Sequence, residues 1–489
     1  LGLIGRKSEL GIFKKIISSN KAEFVAVYGR RRVGKTFLIH EYFSKEADLY
    51  LSLQGKKDGS ISEQLFHFKT MLEEAFFNGQ PISKLASWED AFELLAKVIE
   101  ERIRQANPKT IVVFLDELPW LSTPKSGLLQ ALDYFWNSRL SKLPQFKLIV
   151  CGSAAAWMID NLVHAKGGLY NRLTHNIRLS PFTLKETKDF CDSRKLKLTK
   201  DQILELYLAL GGVPYYIEQI QRGSSVAQNI AALCFSNSGA LKDEWDKLFV
   251  ALFGESDIYE KIIRALFLKK KGLSLTELAA ALEISVGGRF KKRLEELEEA
   301  GFISSFVPYG NKVKNTYYRI LDEFSLFHLQ WIDKAPKGIL LGKSGNYWLN
   351  KIKLPSYISW AGISFESVCL RHSEEIATAL GLSAIPHTVG TWRYVPSAKE
   401  AKSKSGAQID LLFDREDGVI TLCEIKYTKE IFSIDKRYAS ELKQKLEVFQ
   451  HQTQTKKQLQ LAIISVHGMK INSWSEDLVD QVVTADEIF

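Results

Sequence analysis

The 489 residues are 45% hydrophobic and 25% charged, enough apolar material for several cores, and the length suggests roughly three domains. A formal charge of +9 is compatible with a polyanionic partner without requiring one. No run of about 18 apolar residues and no charged, apolar and cleavable N-terminal series occurs, so a cytoplasmic protein with no membrane partner is expected. Leu1 is not a start methionine, and the numbering is expected to begin inside the natural chain. Cys151, Cys191, Cys234, Cys369 and Cys423 are too widely spaced for a zinc site or a redox dithiol, which fits a reducing compartment.

Phe24 to Tyr28 reads as a buried strand, and Phe37 to Phe43 continues with helical spacing. Between them, Gly29, Arg30, Arg31, Arg32, Val33, Gly34, Lys35 and Thr36 form a complete G-x-x-x-x-G-K-[ST] phosphate-binding loop. Its glycines let backbone amides turn inward around phosphates, and the helix N-terminus behind them adds positive dipole. Lys35 is expected to reach the β- and γ-phosphates of ATP or GTP, and the Thr36 hydroxyl to ligate Mg²⁺. A second apolar strand, Ile111 to Leu115, ends in Asp116 and Glu117. Beside a phosphate loop these read as a Mg²⁺-holding carboxylate and a base that polarises the attacking water. The strand Lys147 to Cys151 ends at Gly152 and Ser153, where Ser153 either senses the γ-phosphate or closes a plain turn.

Residues 1–180 therefore alternate strands and amphipathic helices in the manner of an α/β domain with a parallel sheet. Residues 181–255 are mostly helical in period and read as a helical lid, broken at Gly211, Gly212, Val213 and Pro214. Residues 256–330 order three short helices (258–270, 275–282, 285–300) before a hairpin with its turn at Tyr309, Gly310 and Asn311, which resembles a winged helix-turn-helix. Arg289, Lys291, Lys292 and Arg293 lie early in the third helix, where a DNA-reading helix presents cations. Glu295, Glu296, Glu298 and Glu299 follow, so a spacer with a solvated charged face is the competing reading. Residues 331–358 read as a basic linker carrying Lys334, Lys337, Lys343, Lys351 and Lys353. The low-complexity stretch Ser397 to Ala407 contains Lys399, Lys402 and Lys404, which are expected to clamp phosphates over the site that follows.

Residues 359–489 predict a helix at 362–380, strands near 385–395, 408–414 and 418–427, a helix at 438–452 and a strand at 459–466. Strand alternation places Glu424 and Lys426 on one face, with Cys423, Ile425 and Tyr427 on the other. Asp410 can face the first pair from the neighbouring strand. Metal-dependent phosphodiester hydrolysis needs such a set: Asp410, Glu424 and the Ile425 carbonyl for Mg²⁺, Glu366 to complete the shell, and Lys426 to position hydroxide. A surface ion pair of little energetic weight is the bland alternative for Glu-x-Lys.

Residues 1–330 resemble the prokaryotic AAA+/STAND-type ATPases that carry Tyr28 to Thr36 as a block. The resemblance implies that the segment around Gly5 and Arg6 packs near adenine and that Gly211 to Tyr216 is a lid motif. Residues 360–489 resemble the restriction-endonuclease-like PD-(D/E)XK domain often fused to such ATPases, with Ile409 where the name has proline. The family also implies an arginine finger and hence a homo-oligomer; Arg139 and Arg172 are both candidates, and either can pair instead within its own subunit. Together these readings give an ATPase whose nucleotide state gates a Mg²⁺-dependent nuclease on DNA. The alternatives are an ATP-dependent switch with a non-catalytic nuclease-like module, or a DNA-binding regulator.

Overall fold

In β1 (Glu23–Tyr28), β3 (Ile111–Asp116) and β4 (Phe146–Gly152) every residue is buried, the pattern of strands covered on both faces. The computed structural model describes residues 2–163, 169, 171–254, 256–270, 272–310, 316–336, 345–396 and 406–489. Lys337, Lys343, Lys399, Lys402, Lys404, Asn311 and Tyr170 lie outside them. The chain divides into two units, Leu1–Pro181 and Phe182–Phe489.

In the first unit, β2 (Leu49–Gln54) and β5 (His175–Arg178) complete a five-stranded sheet of order β2-β3-β4-β1-β5, with every pairing parallel. Alternation along β1 sends Phe24, Ala26 and Tyr28 into one apolar core and Val25 and Val27 into the other. This order brings the carboxyl ends of β1, β3 and β4 together, where ligands bind on open parallel sheets.

The second unit begins with helices Leu184–Ser193, Lys200–Leu210, Pro214–Glu218, Val226–Phe235 and Glu244–Phe253. Thr183, Thr199 and Ser225 start three of these through reciprocal capping boxes. At the break before Pro214, the Gly212 carbonyl accepts from the Phe182 amide, and a Cβ on Gly212 would lie 1.8 Å from the Phe182 oxygen. Only glycine fits there.

Helices Asp257–Leu268, Leu275–Ala281 and Gly288–Glu299 follow, with β6 (Leu273–Ser274), β7 (Ile303–Phe306) and β8 (Tyr317–Ile320) in an antiparallel sheet of order β6-β8-β7. The third helix starts three residues later than the sequence reading, at Gly288 rather than Ser285. β9 (His387–Tyr394), β10 (Ala407–Arg415) and β11 (Val419–Lys426) form an antiparallel meander. Parallel additions of β13 (Gln458–Ser465) and β15 (Gln481–Thr484) extend it to the order β15-β13-β11-β10-β9. Helix Lys436–Thr453 makes the crossover from β11 to β13, and β12 (Phe432–Ser433) pairs with β14 (Met469–Lys470) at its flank.

Two expectations change here. The helix expected at 362–380 begins at Pro355, runs to Arg371 and resumes as Ser373–Ala379, because proline at a first helical position starts a helix rather than breaking one. The segment read as a basic linker contains helix Gly345–Lys351, held by Trp348, which is 2% exposed and stacked on Phe235 with centroids 5.6 Å apart. The lysine count masked this aromatic anchor. One continuous apolar cluster runs from Phe182 to Ile488, so the segments read as lid, winged module and C-terminal domain share a core.

Candidate functional site

The first unit places the phosphate loop between β1 and helix Lys35–Glu46. Gly29 has φ +139°, and a Cβ there would lie 2.4 Å from the Leu179 oxygen, which requires glycine. Arg32 and Gly34 also turn through positive φ, at 71° and 89°, so the loop curls back on itself. Lys35 is buried inside the curl, where Nζ donates to the carbonyls of Gly29 (2.9 Å) and Arg30 (3.0 Å) and to Ser153 Oγ (3.1 Å). Burial lowers the Lys35 pKa, and the carboxylates of Glu117 and Asp116 hold it up in part.

Thr36 Oγ1 donates to Asp116 Oδ2 at 2.9 Å, which sets a hydroxyl beside a carboxylate as a Mg²⁺ site requires. Asp116 Oδ1 accepts from the Glu117 amide (3.0 Å) and the Cys151 thiol (2.9 Å). No pattern in the sequence marks this use of Cys151, whose β4 position is registered beside β3 only by the fold. Glu117 has φ 47°, an uncommon conformation for a non-glycine residue. Its carboxylate accepts from the Ser153 amide (3.0 Å) and hydroxyl (2.5 Å), so Ser153 touches both Glu117 and Lys35. Gly5 (φ 66°) precedes Arg6, whose guanidinium donates to the carbonyls of Val33 (3.0 Å) and Ser180 (2.7 Å) and so braces the loop from behind.

Arg139 is tied within its own unit, donating to Glu100 (2.9 and 2.7 Å) and Glu93 (2.9 Å). Arg172 is exposed.

A second polar cluster lies in the second unit. Glu424 and Lys426 share a face of β11, with Lys426 Nζ 3.0 Å from Glu424 Oε1, while Cys423 and Ile425 enter the core. Glu424 also accepts from Tyr438 Oη (2.6 Å) and from Lys445 Nζ (2.9 and 2.7 Å), both on helix Lys436–Thr453. Burial opposes its charge, but Lys445 and Lys426 outweigh burial and keep Glu424 below the usual carboxylate range. Asp410 Oδ2 accepts from the Ile425 amide at 3.4 Å, and Oδ1 from Gln408 Nε2 at 3.2 Å. Burial, then Glu424, pushes Asp410 up to about 6. Glu366, on helix Pro355–Arg371, is pushed up to about 8 by burial and then by Asp410 and Glu424.

Arg319 on β8 faces this cluster. Burial lowers its pKa to about 10, against the pull of Glu366 and Asp410. Among the described residues, no group of three or more His, Cys, Asp or Glu side chains is poised to hold a metal ion. The expected shell of Glu366, Asp410 and Glu424 is therefore close enough to interact electrostatically but not preassembled, because Glu424 is engaged by two lysines and a tyrosine.

A five-stranded parallel sheet with a phosphate loop after β1, acids after β3 and a polar residue after β4, the strand that lies between those two, defines a P-loop ATPase domain. Residues 3–220 match the family model of an ATPase domain found predominantly in Archaea. An uncharacterized protein of Methanocaldococcus jannaschii is 26% identical over 372 residues, covering 75% of this chain and 76% of that protein. An uncharacterized ATP-binding protein of the same organism is 42% identical over 43 residues, 9% of this chain and 73% of that one. Among solved structures, the Walker-type ATPase of Pyrococcus abyssi superposes with a TM-score of 0.46 at 18% identity, covering 66% of this chain and 95% of that chain. No helix among the described residues is long and apolar enough to cross a membrane.

Proposed function

We propose that the chain hydrolyses ATP in its first unit and cleaves nucleic acid in its second, with nucleotide state controlling cleavage. The observation that carries the first half is the convergence of Lys35, Thr36, Asp116, Glu117 and Ser153 on one loop. Loop amides from Gly29 to Thr36 cradle the phosphates, Lys35 moves from its own loop carbonyls to the β- and γ-phosphates, and the Gly5–Arg6 segment lies toward adenine. Thr36 and Asp116 suit Mg²⁺, a hard cation that takes one or two protein oxygens and keeps water. Glu117 takes the proton of the attacking water once Ser153 releases it.

In the second unit, the arrangement of Asp410, Glu424 and Lys426 across β10 and β11 supports a nuclease of the PD-(D/E)XK type, and the helix order of 257–299 with its β6-β8-β7 sheet supports a winged-helix reading. Asp410, Glu424, the Ile425 carbonyl and Glu366 are the oxygens that would hold Mg²⁺ once Glu424 turns from Tyr438 and Lys445, and the ion would acidify water and offset phosphoryl charge. Lys426 would orient the attacking water toward phosphorus. The basic start of helix Gly288–Glu299 supplies phosphate contacts on DNA.

Plasmid and single-stranded DNA incubated with the chain and Mg²⁺, with and without ATP, test the proposal. Cleavage is expected from the natural chain and lost in Asp410→Ala and Lys426→Ala, and Lys35→Ala is expected to lose nucleotide binding and the ATP response. Nicking that survives both substitutions in the second unit rejects the nuclease.

A further inference from the structure

Beside Asp410 and Glu366 the second unit encloses a cavity of about 240 Å³. Four of its lining residues carry buried polar atoms with no hydrogen-bond partner: Arg319 Nε, Trp360 Nε1, Thr391 Oγ1 and Gln408 Oε1. Buried polar groups are ordinarily paired, and four unpaired ones on residues that line a single cavity point to a partner that the chain itself does not supply. Two of them are N–H donors, one is a carbonyl acceptor and one is a hydroxyl that serves either way. The Gln408 orientation follows from its amide donating to Asp410.

Backbone register explains why these atoms converge. Ile409 pairs with Trp392 and Leu412 with Gly390, so Asp410 and Leu411 together oppose Thr391 in a β-bulge. Bulges re-aim side chains beside active sites. Aromatic walls complete the cavity: the rings of Phe306 and Tyr317 stack at 5.9 Å, and the Arg319 guanidinium sits 4.5 Å over Phe306. The volume far exceeds the ~30 Å³ share of one water and falls below the ~300 Å³ of drug-sized pockets, which suits one planar heterocycle. A mixed set of donors and acceptors beside aromatic rings is how proteins read the edge of an unstacked base.

We infer that this cavity receives one unpaired nucleobase of a strand whose adjacent phosphodiester lies at Asp410, so that the second unit acts on single-stranded or locally opened nucleic acid. The inference rests on the proposed nuclease reading for its placement, and its test does not need cleavage. Arg319 and Gln408 bind the base edge, the Trp360 N–H and Thr391 hydroxyl close the remaining positions, and the aromatic rings supply stacking.

The probe is a single-stranded oligonucleotide carrying one 2-aminopurine, titrated onto the full chain in EDTA so that it is not cut. Binding is expected to change its fluorescence, at least tenfold more tightly than the same sequence as duplex. Ser359 is exposed at the cavity mouth, so Ser359→Trp caps the entrance without entering the core. Ser359→Trp and Thr391→Val are each expected to weaken single-strand binding tenfold or more while leaving duplex binding and the melting curve unchanged. Equal binding by these variants, no preference for single strands, or response to free 2-aminopurine riboside alone overturns the inference. Nicking by a chain whose Ser359→Trp variant binds normally keeps the nuclease and removes the base pocket. A variant-sensitive fluorescence response in a chain that never nicks keeps the pocket and removes the nuclease.

Discussion

His328 offers the most direct measurement of how the second unit is held together. It lies in the π-helical turn His328–Ile332, 4% exposed, with its ring stacked on Trp245 at 4.8 Å and 12° and its Nδ1 without a partner. Burial lowers its pKa from 6.5 to about 4; Asp333 works against that shift and Arg264 adds to it. The folded state therefore keeps the imidazole neutral at pH 5, where the unfolded chain has taken up a proton. Stability from this group is fully present above pH 6.5 and is lost as the pH falls toward 4. With one pKa unit worth ~1.36 kcal/mol, the loss between pH 7.5 and pH 5 is about 2 kcal/mol. That is a large share of the ~5–15 kcal/mol that holds a typical domain together.

The whole-protein pH curve hides this effect, because Glu366, raised to about 8, gains stability as the pH falls, while His372, lowered to about 4, loses it. The difference between the natural chain and His328→Phe removes those common contributions. Phenylalanine keeps a ring against Trp245 and cannot titrate. Urea unfolding followed by tryptophan fluorescence, in EDTA at pH 7.5 and pH 5, should show the variant gaining about 2 kcal/mol relative to the natural chain at the lower pH. Parallel curves at the two values, with the difference constant within about 0.5 kcal/mol, would refute the claim that burial keeps this histidine neutral.

Glu117→Gln keeps the shape of the contact with Ser153 but cannot take a proton; ATP turnover is expected to fall by ~10²-fold or more with ATP affinity retained, and unchanged turnover removes Glu117 as the base. Arg139→Ala breaks the pairs to Glu93 and Glu100, which are partly exposed, so melting should drop by an amount worth about 1 kcal/mol. Turnover in that variant should stay near the natural value; a hundredfold loss would assign Arg139 to catalysis after all. Gly212→Ala puts a methyl group 1.8 Å from the Phe182 oxygen, so the break before Pro214 must open, at a cost of ~3 kcal/mol or more in thermal unfolding.

The phosphate-loop cluster is readable because its residues are nearly contiguous. Gly29 to Thr36 are consecutive, Asp116 ends one strand with Glu117 next in chain, and Ser153 follows another, and the apolar run of each strand announces it. The second cluster was readable only along strands. Glu424 and Lys426 follow from alternation on β11, but Tyr438 and Lys445 stand two turns apart on a helix, a spacing visible in the sequence whose target is not. Arg319 had no local signal at all, since its place beside Glu366 and Asp410 depends on a hairpin far upstream packing into the same core. The linker reading of 331–358 failed for a related reason: cations describe solvent-facing positions, and Trp348 decides where the segment docks.

The β10 bulge shows where pattern reading reaches its physical limit. Gln408-Ile409-Asp410-Leu411-Leu412-Phe413 has apolar residues at both parities, so strict alternation and an alternation slipped by one residue both leave apolar side chains in each core. The cores resolve the choice: Ile409 and Leu412 join one apolar cluster, Leu411 and Phe413 the other. Strict alternation would have kept Ile409 with Leu411. The slip therefore falls at Asp410 and Leu411, opposite Thr391 and beside the unpaired polar atoms of the cavity. A regular strand would bury the same number of leucines. What the extra residue changes is the direction of one carboxylate and the freedom of one hydroxyl, which is a change in the site rather than in the core.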